Sequence, residues 1–311
     1  MVNHIQLLWA RKARMNLPLD DKIFYGITLL LVSILFFTVL YPLLFILAAS
    51  FSSANAVYAG KVFVWPVEFG IHGYKLVFNN PEVWMGYANT IKYTLLGTLI
   101  DVFMIMITAY PMARKELPGR NIFMTFFAFT LFFNGGMIPN YLVVRSLGLI
   151  DTIGALVLPG ALSVYYMIVA RTFIQSNIPN ELLQAAQIDG CNDTSFFFRV
   201  VIPLSKAIIA VTILFQAVSH WNAFFNAMIY LNTRSKVPLQ LVLRDILVAS
   251  NYAASTKDLS AMDPEMIDAI QRTADIMKYA LIVFSSAPIM LFYPIAQKYF
   301  IKGVMIGSLK G

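Results

Sequence analysis

The stretch QAAQIDGCNDTSFFFRVVIPLSK (Gln184–Lys206) lies between two long apolar runs and carries charges that those runs largely lack. We interpret it as two short helices joined by a turn. Pro179 is suited to the first position of a helix, so we expect the first helix to begin there. Asp189 and Gly190 should end that helix, because glycine adopts the left-handed conformation after a helix at little cost. The chain therefore places a polar helical hairpin between two apolar segments.

The two helices of this hairpin present different surfaces. The first has Glu181 in its first turn, where the helix dipole favours an acid. Its low-profile apolar stripe consists of Leu182, Leu183, Ala185 and Ala186. The second helix restarts in NDTSFFF, with Asp193 or Thr194 as the predicted N-cap, and Pro203 marks the entry to the next apolar run. Such a hairpin can pack on its own bundle or insert into a groove of another protein, and spacing alone leaves both possible.

The composition excludes a soluble globule. Of the 311 residues, 59% are hydrophobic and 13% are charged, whereas soluble domains have about 25% charged residues. We therefore predict an all-α integral membrane protein. The net charge of +7 would suit nucleic-acid binding in a soluble protein, but in a membrane protein it reports loop orientation. Cys191 is the only cysteine in the sequence, which excludes an internal disulfide and a cysteine metal cluster.

Six segments are long and apolar enough to cross a bilayer as helices. The first contains Pro42, a predicted kink, and the second contains Lys92 and Asp101. NGGMIPN (Asn134–Asn140) is expected to break the outer end of the third. The predicted spans are Ile23–Phe51, Met85–Met112, Asn121–Val144, Thr152–Ala170, Ala207–Leu231 and Tyr279–Gln297.

Basic residues give the orientation of these spans. Segments on the N-terminal side of the membrane hold 13 lysines and arginines, against eight in the longer opposite loops. By the positive-inside rule both termini are cytoplasmic, and so is the helical hairpin. We therefore expect a cytoplasmic segment at 1–22 and a transmembrane domain at 23–311, with a cytoplasmic loop at about 174–206. The first apolar run is too long for a signal-peptide core, which predicts an uncleaved span.

The hairpin resembles the EAA loop of permeases of ATP-binding-cassette (ABC) importers. That motif reads Glu-Ala-Ala, three residues, Gly, nine residues, an aliphatic residue, one residue and Leu-Pro. At the same spacing this chain has Gln184-Ala185-Ala186, Gly190, Val200 and Ile202-Pro203. Its departures from the motif are Gln184, Val200, Ile202 and Cys191. Gln184 lacks the charge for an ion pair with the ATPase but keeps the helix shape.

Four other segments resemble parts of the same family, and the third of them resembles the Trp-Asn segment of its carbohydrate-uptake, maltose-type permeases. These are AYPMARKELPGR (Ala109–Arg120), FNGGMIPNYLVVRSLGLIDT (Phe133–Thr152), HWNAFFNAMIYL (His220–Leu231) and QKYFIKGVMIGSLKG (Gln297–Gly311). The second of them resembles oligosaccharide-importer permeases of the lipoprotein-system and aldouronate types. Each segment is a weak signal alone, but all four occur in family order along nearly the whole chain.

The resemblance implies a type I importer permease in the bacterial cytoplasmic membrane, forming half of a path for a carbohydrate, expected to be an oligosaccharide. Its implied partners are a second permease, two ATPase subunits that bind ATP and Mg²⁺, and an external solute-binding protein. The sequence contains no Walker A pattern, so we expect a transport subunit without its own cofactor rather than an enzyme. The residues expected to couple it to the ATPase are Glu181, Gln184, Ala185, Ala186, Asp189, Gly190, Phe197 and Pro203.

Polar residues inside the predicted spans are candidates for the substrate path. Asp101 lies in mid-span, where an acid either faces a cavity or makes a packing contact with the second permease through a hydrogen bond. Trp221, Asn222 and Asn226 lie in the fifth span, where Asn222 and Asn226 should share a face because they are four residues apart. An aromatic ring with amides suits a sugar, whereas interhelical hydrogen bonding is the alternative and is favoured for His220.

Other function classes are alternatives. An ion-coupled secondary transporter more typically has more spans and inverted repeats, and neither is visible in this sequence. An intramembrane serine protease needs a serine and a histidine within hydrogen-bond reach, but Ser219 and His220 are adjacent and diverge by about 100° on a helix. An ABC importer permease for a solute other than a sugar stays open.

The single thiol tests the predicted orientation. An impermeant maleimide should leave Cys191 unlabelled in intact cells and label it in inverted membrane vesicles, because the hairpin is predicted to be cytoplasmic. The readout is the mass shift of the purified chain. Labelling of intact cells would reverse the predicted topology.

Overall fold

The computed structural model describes residues 18–255, 272, 275–291 and 294. Within these ranges all regular secondary structure is helical. The helices are α1 (Leu19–Ser50), α2 (Ala54–Tyr58), α3 (His72–Asn79), α4 (Pro81–Ala113), α5 (Arg120–Phe132), α6 (Met137–Ser146), α7 (Gly154–Val157), α8 (Val164–Asn177), α9 (Asn180–Ile188), α10 (Asp193–Leu204), α11 (Lys206–Asn222), α12 (Phe225–Tyr230), α13 (Leu239–Ser255) and α14 (275–291).

Helix α4 is the centre of the fold, and α8, α11 and α13 pack against it. Its start is set by local sequence. Pro81 occupies the first helical turn, and the side chain of Asn80 accepts a hydrogen bond from the amide of Glu82. Both are strong signals for a helix N-terminus.

The C-terminal end of α4 is completed by side chains of α8. Nε of Arg171 donates to the carbonyl of Met112 at 2.8 Å, and Nε2 of Gln175 donates to the carbonyl of Ala113 at 3.2 Å. The last carbonyls of a helix have no partner within the helix itself. Helix α8 therefore fixes where α4 ends as well as packing along it.

Two glycines let other elements approach α4 closely. A Cβ atom at Gly97 would lie 2.5 Å from the ring of His220 on α11. A Cβ atom at Gly86 would lie 3.1 Å from the backbone of Leu239 on α13. A side chain at either glycine would collide with the neighbouring helix. The absence of a side chain at Gly86 and Gly97 therefore sets how closely α13 and α11 approach α4.

Two buried clusters surround α4. The first lies towards its C-terminal end and joins it to α8, α9 and α10 through residues such as Met106, Met167, Leu183 and Phe197. The second lies towards its N-terminal end and includes Val83, Leu239 and Leu281. Because α4 belongs to both clusters, it links the hairpin at one end of the molecule to α13 and α14 at the other.

Two of the predicted spans appear as single long helices. Helices α1 and α4 are long and apolar enough to cross a membrane, as expected for spans one and two. The predicted break at NGGMIPN is confirmed, because α5 ends at Phe132, α6 begins at Met137 within this stretch, and the two helices are bent by 115°. Helices α10 and α11 form a second bent pair, at 79°. The end of the predicted sixth span lies beyond α14, mostly outside the described residues.

Two predicted spans are not continuous helices, contrary to expectation. In the fourth, Pro159 and Gly160 lie between α7 and α8, where the missing proline N–H and the flexible glycine disfavour a helix. In the fifth, the extended conformation of Ala223 ends α11 at Asn222, and α12 begins at Phe225. Apolar composition alone did not predict these breaks, because it measures affinity for lipid and not backbone geometry.

Asp151 forms a brace between the α6–α7 connection and the segment that follows α12. Its carboxylate accepts hydrogen bonds from Nζ of Lys236 at 2.7 Å and from the amides of Thr233 and Asn232 at 3.0 Å. Hydrogen bonds from Lys236, Thr233 and Asn232 hold the pKa of the Asp151 carboxyl below its usual range. The brace lies on the side of the molecule predicted to be external.

The contact at Gly97 leads to a stability prediction. Gly97→Val should destabilise the protein by about 1–3 kcal/mol, because overpacking forces α4 and α11 apart. The matched control is Gly26→Val in α1, where a Cβ atom would meet nothing within 4 Å. Thermal unfolding in detergent measures the difference. Equal unfolding temperatures for the two variants would contradict the close contact.

Candidate functional site

Helix α9 is the first helix of the predicted hairpin. It ends where the sequence predicts, with Asp189 as C-cap and Gly190 in the left-handed region at φ +76°. Its start differs slightly from expectation. Pro179 is the N-cap, with ψ 148°, rather than the first helical residue, because the helix begins only where the backbone leaves this extended conformation.

The second helix of the hairpin, α10, begins one residue earlier than predicted. The side-chain oxygen of Asn192 accepts a hydrogen bond from the amide of Ser195 at 2.8 Å, so Asn192 is the N-cap. The prediction of Asp193 or Thr194 is therefore wrong. Three consecutive residues here are good caps, and the turn after Gly190 decides which of them has the required geometry.

A π-helical turn at Phe197–Val201 lies within α10. Phe197 is 5% exposed, and its ring centroid lies 5.4 Å from that of Tyr110 on α4. Pro203 follows within α10 and is exposed. Phe197 therefore contributes to the candidate site through packing and is not available at the surface.

Helix α9 has one face packed and one face free. Leu183 is 5% exposed and Ala186 packs on the same cluster, which confirms part of the predicted apolar stripe. Ile188 at the end of the helix is 87% exposed. Ile188 is not one of the predicted coupling residues. Of those residues, the exposed ones in α9 and the turn after it are Glu181, Gln184, Ala185, Asp189 and Gly190.

An ion pair that the sequence did not predict joins this hairpin to α4. Nη1 of Arg114 donates to Asp193 at 2.7 Å and to the hydroxyl of Tyr110 at 2.7 Å. Arg114 follows α4 directly, and Asp193 is in the first turn of α10. The signal available in the sequence was a basic segment close to the end of a span and an acidic segment opening a helix, on the same side of the membrane.

The second group of candidates surrounds Asp101 in the middle of α4. Asp101 is 2% exposed. Its Oδ2 accepts a hydrogen bond from Nε2 of Gln216 at 2.7 Å and lies 2.8 Å from Nε2 of His220. Oδ1 has no hydrogen-bond partner in the described part of the chain. Asp101 therefore links α4 to α11 within this chain. Its predicted roles on the substrate path or against the second permease stay predictions.

Gln216 was missed by the sequence reasoning, although a signal for it exists. Gln216 and His220 are four residues apart on one helix and therefore share a face. A buried acid in a membrane span needs donors within the protein. Searching the other spans for two donors at this spacing would have found the pair.

The other substrate-path candidates lie apart from one another. Trp221 is 6% exposed, and its Nε1 donates to the carbonyl of Ser285 on α14 at 3.0 Å. Asn222 and Asn226 are exposed, but they lie on different helices because α11 ends at Asn222. The expectation that the two amides share one helical face is wrong, since the extended Ala223 separates them.

Trp221 also lines a cavity of about 450 Å³ between α4, α11 and α14. Of the other lining residues, Thr94 and Thr98 have hydroxyl groups and the rest are apolar. A sugar needs several hydrogen-bond partners, and an apolar wall would leave its hydroxyl groups without them. This cavity is therefore a poor match for a carbohydrate.

The described chain is a helical bundle with two helices long and apolar enough to cross a membrane and with an exposed polar hairpin, as expected for a membrane transport subunit. Residues 83–306 match the family of binding-protein-dependent transport system inner membrane components. The chain belongs to this family. It is accordingly a multi-pass component of the bacterial inner membrane and a transport subunit rather than an enzyme.

Relatives from Bacillus subtilis match over nearly the whole chain. Protein LplC of Bacillus subtilis is 40% identical over 272 residues, covering 87% of this chain and 89% of the relative. The polygalacturonan/rhamnogalacturonan transport system permease protein YtcP of the same species is 37% identical over 293 residues, covering 94% and 99%. These matches confirm the resemblance to carbohydrate ABC permeases.

A solved structure shows the same fold. It is a chain from the crystal structure of a bacterial ABC transporter involved in the import of the acidic polysaccharide alginate. It superposes with a TM-score of 0.81 at 33% identity, covering 91% of this chain and 99% of that chain. The family implies a partner permease, an ATPase and a solute-binding protein, with ATP hydrolysis in a separate chain.

The Asp101 contacts lead to a second stability prediction. Asp101→Leu should cost about 2–6 kcal/mol, because it leaves Gln216 and His220 without their buried acceptor at about 1–3 kcal/mol each. Asp101→Asn keeps the shape and one acceptor oxygen, so it should cost about 1–3 kcal/mol. Thermal unfolding of the two purified variants orders them. If Asp101→Leu unfolds like the wild type yet abolishes transport, Asp101 acts on the substrate path and not between helices.

Proposed function

We propose that this chain is one of two permease subunits of an ABC importer for a carbohydrate, expected to be an oligosaccharide. Six spans would come from α1, α4, the α5–α6 pair, α7–α8, α11–α12 and α14. Both termini and the loop at about 174–206 would be cytoplasmic, with two ATPase subunits beneath them. The domain at 23–311 would then form half of the translocation path.

The exposure pattern of α9 carries this proposal. Ile188 is 87% exposed while Leu183 is 5% exposed, so the helix is anchored on its own bundle and presents its other face outward. An exposed aliphatic side chain beside the small Ala185 suits insertion into a groove of a partner. We propose that Glu181, Gln184, Ala185 and Asp189 contact the ATPase directly.

Contacts between α10, the second helix of the hairpin, and the end of α4 would transmit movement from the ATPase into the bundle. The ring of Phe197 packs at a tilt against that of Tyr110, and Arg114 donates a hydrogen bond to Asp193. Both contacts lead into α4, which also carries Asp101 and the junction with α11. A displacement of α9 is therefore passed to α4 through close-packed side chains, which deform little.

The nature of the substrate is proposed from the relatives. YtcP is named for polygalacturonan and rhamnogalacturonan, and the solved structure belongs to an importer of the acidic polysaccharide alginate. The exposed amides of Asn222 and Asn226 are the best candidates here for contacts with sugar hydroxyls. Asp101 and Trp221 are buried in the chain and would position α11 and α14 behind them.

Purification of the tagged chain from its host membranes tests the proposed complex. We expect an ATPase and a second permease to co-purify in mild detergent, and the complex to hydrolyse ATP. Uptake into vesicles should require ATP, and it should be competed by oligosaccharides, with neutral and uronic acid chains compared. Uptake that survives ATP depletion on a proton gradient would instead identify an ion-coupled transporter.

Gly190→Arg should abolish ATP-driven transport in this complex while leaving the chain inserted. Gly190 has φ +76°, where other residues cost about 1–2 kcal/mol, and the added side chain would lie at the ATPase surface. Gly148→Arg is the matched control, because Gly148 has φ +68° and equally open surroundings away from the hairpin. Normal coupled transport by Gly190→Arg would contradict the role assigned to α9.

A further inference from the structure

A cavity of about 540 Å³ lies between α9 and the adjoining ends of α4, α5 and α8. The cations that line it are Arg114, Lys115, Arg120 and Arg171, and Glu181 is the one acid among its lining residues in the described chain. Arg114, Lys115 and Arg120 lie in the connection that leads from α4 into α5, and Arg171 comes from α8. The fold therefore adds Arg171 to a basic run of the chain.

Two of these arginines have donors to spare. Arg114 is already satisfied by Asp193, Glu116 and Tyr110. Arg120 makes a long hydrogen bond of 3.5 Å to the carbonyl of Arg114, and Arg171 uses only Nε. Neither Arg120 nor Arg171 has a carboxylate partner within the described residues.

Arg120 and Arg171 line the same cavity, and burial together with the positive charge of Arg120 lowers the pKa of Arg171. Both side chains are half-buried, so water screens the repulsion between them less than it would at an open surface. An external anion would neutralise two guanidinium groups that have no carboxylate partner. Planar guanidinium groups pair especially well with phosphate oxygens.

The other wall of the cavity is apolar and includes Ile174, Ile178, Leu183 and Val201. The N-terminus of α9 also opens into it, without a side-chain cap on its first amides. A helix N-terminus attracts anions. One cationic wall and one apolar wall suit an amphiphilic molecule with an anionic group and a hydrocarbon portion.

We propose that this cavity binds a phosphate group through Arg120 and Arg171, supplied either by the headgroup of an anionic phospholipid or by a soluble phosphate. The apolar wall favours the phospholipid. The headgroup source rests on the proposed function, which places the cavity at the cytoplasmic surface of the membrane, where basic pockets between helices bind anionic lipids. The occupant would touch α9 and neutralise the two arginines behind it, and so hold the coupling helix against the bundle.

The test uses the complete importer in nanodiscs of phosphatidylcholine, with or without phosphatidylglycerol. Native mass spectrometry counts retained phosphatidylglycerol, and thermal unfolding with added inorganic phosphate forms the second arm. Arg120→Gln, alone and with Arg171→Gln, should weaken binding about tenfold or more for each arginine removed. Arg120→Gln alone leaves the hydrogen bond from Arg171 to α4 intact, so it remains informative if the double variant misfolds.

Two controls accompany these variants. Arg120→Lys with Arg171→Lys keeps the charge and should retain most of the binding. Arg145→Gln removes one exposed arginine outside the cavity and should bind as the wild type does. Retained lipid that depends on Arg120 supports the headgroup source, whereas stabilisation by inorganic phosphate alone supports the soluble source.

The site is overturned if the wild type binds neither probe, or if the glutamine variants bind both probes as tightly as the wild type. Co-purification of the ATPase is checked on the same samples. An assembled, ATP-hydrolysing complex without anion binding rejects this site and leaves the proposed function intact. Anion binding without an ATPase would reject the proposed function and keep the site as a phosphate cavity.

Discussion

The hydrogen bonds that Asp101 accepts from α11 are the interaction around which the bundle is organised. A polar group within a bilayer must find its partner inside the protein, because lipid offers none. Asp101 meets Gln216 and His220 on one face of α11. Gly97, one turn earlier on α4, has no side chain and so leaves room for the His220 ring. The hydrogen bonds form only if all four residues are at the same level of the bundle. They therefore fix both the spacing and the register of α4 and α11.

From this junction the contacts continue along α4 in both directions. Towards its end, α8 holds the last carbonyls of α4, and Arg114 and Tyr110 receive the hairpin through Asp193 and Phe197. Towards its start, Gly86 lets α13 pack closely. Helix α9 and the opposite face of the molecule are thus connected by one helix. That geometry suits the proposed role of α9, in which a displacement at one surface would have to reach the other.

The sequence predicted features that depend on local chemistry. The end of α9 at Gly190 and the break at NGGMIPN follow from backbone freedom at glycine, and the membrane class follows from composition. The N-cap of α10 was misassigned because Asn192, Asp193 and Thr194 are chemically equivalent caps, and only the geometry of the turn selects one. The prediction that Asn222 and Asn226 share a helical face was wrong, because no proline or glycine between them indicates that the helix ends.

Features that depend on contacts between distant segments were the hardest to predict. The pairing of Asp101 with Gln216 joins residues 115 positions apart, and that of Arg114 with Asp193 joins residues 79 apart. The burial of Phe197 likewise needs Tyr110 of another helix. A single sequence indicates that a buried acid needs hydrogen-bond donors, or that an arginine needs an acceptor. It does not indicate which distant residue supplies them. The spacing of Gln216 and His220 is the exception, because it marks a donor pair on one face.

Helix α1 has a wider consequence for how the folding of this protein can be measured. Its most apolar part is unburied, and contact with the rest of the described chain is made by its last turns, where Ala48 and Ala49 are buried. Lipid tails are as apolar as leucine, so the hydrophobic effect does not draw this helix out of lipid onto protein. Any molecule that binds α1 in the folded state raises the apparent stability by mass action. An unfolding temperature of this chain is therefore a property of the mixture, including lipid, detergent and partner concentrations, and not a constant of the polypeptide.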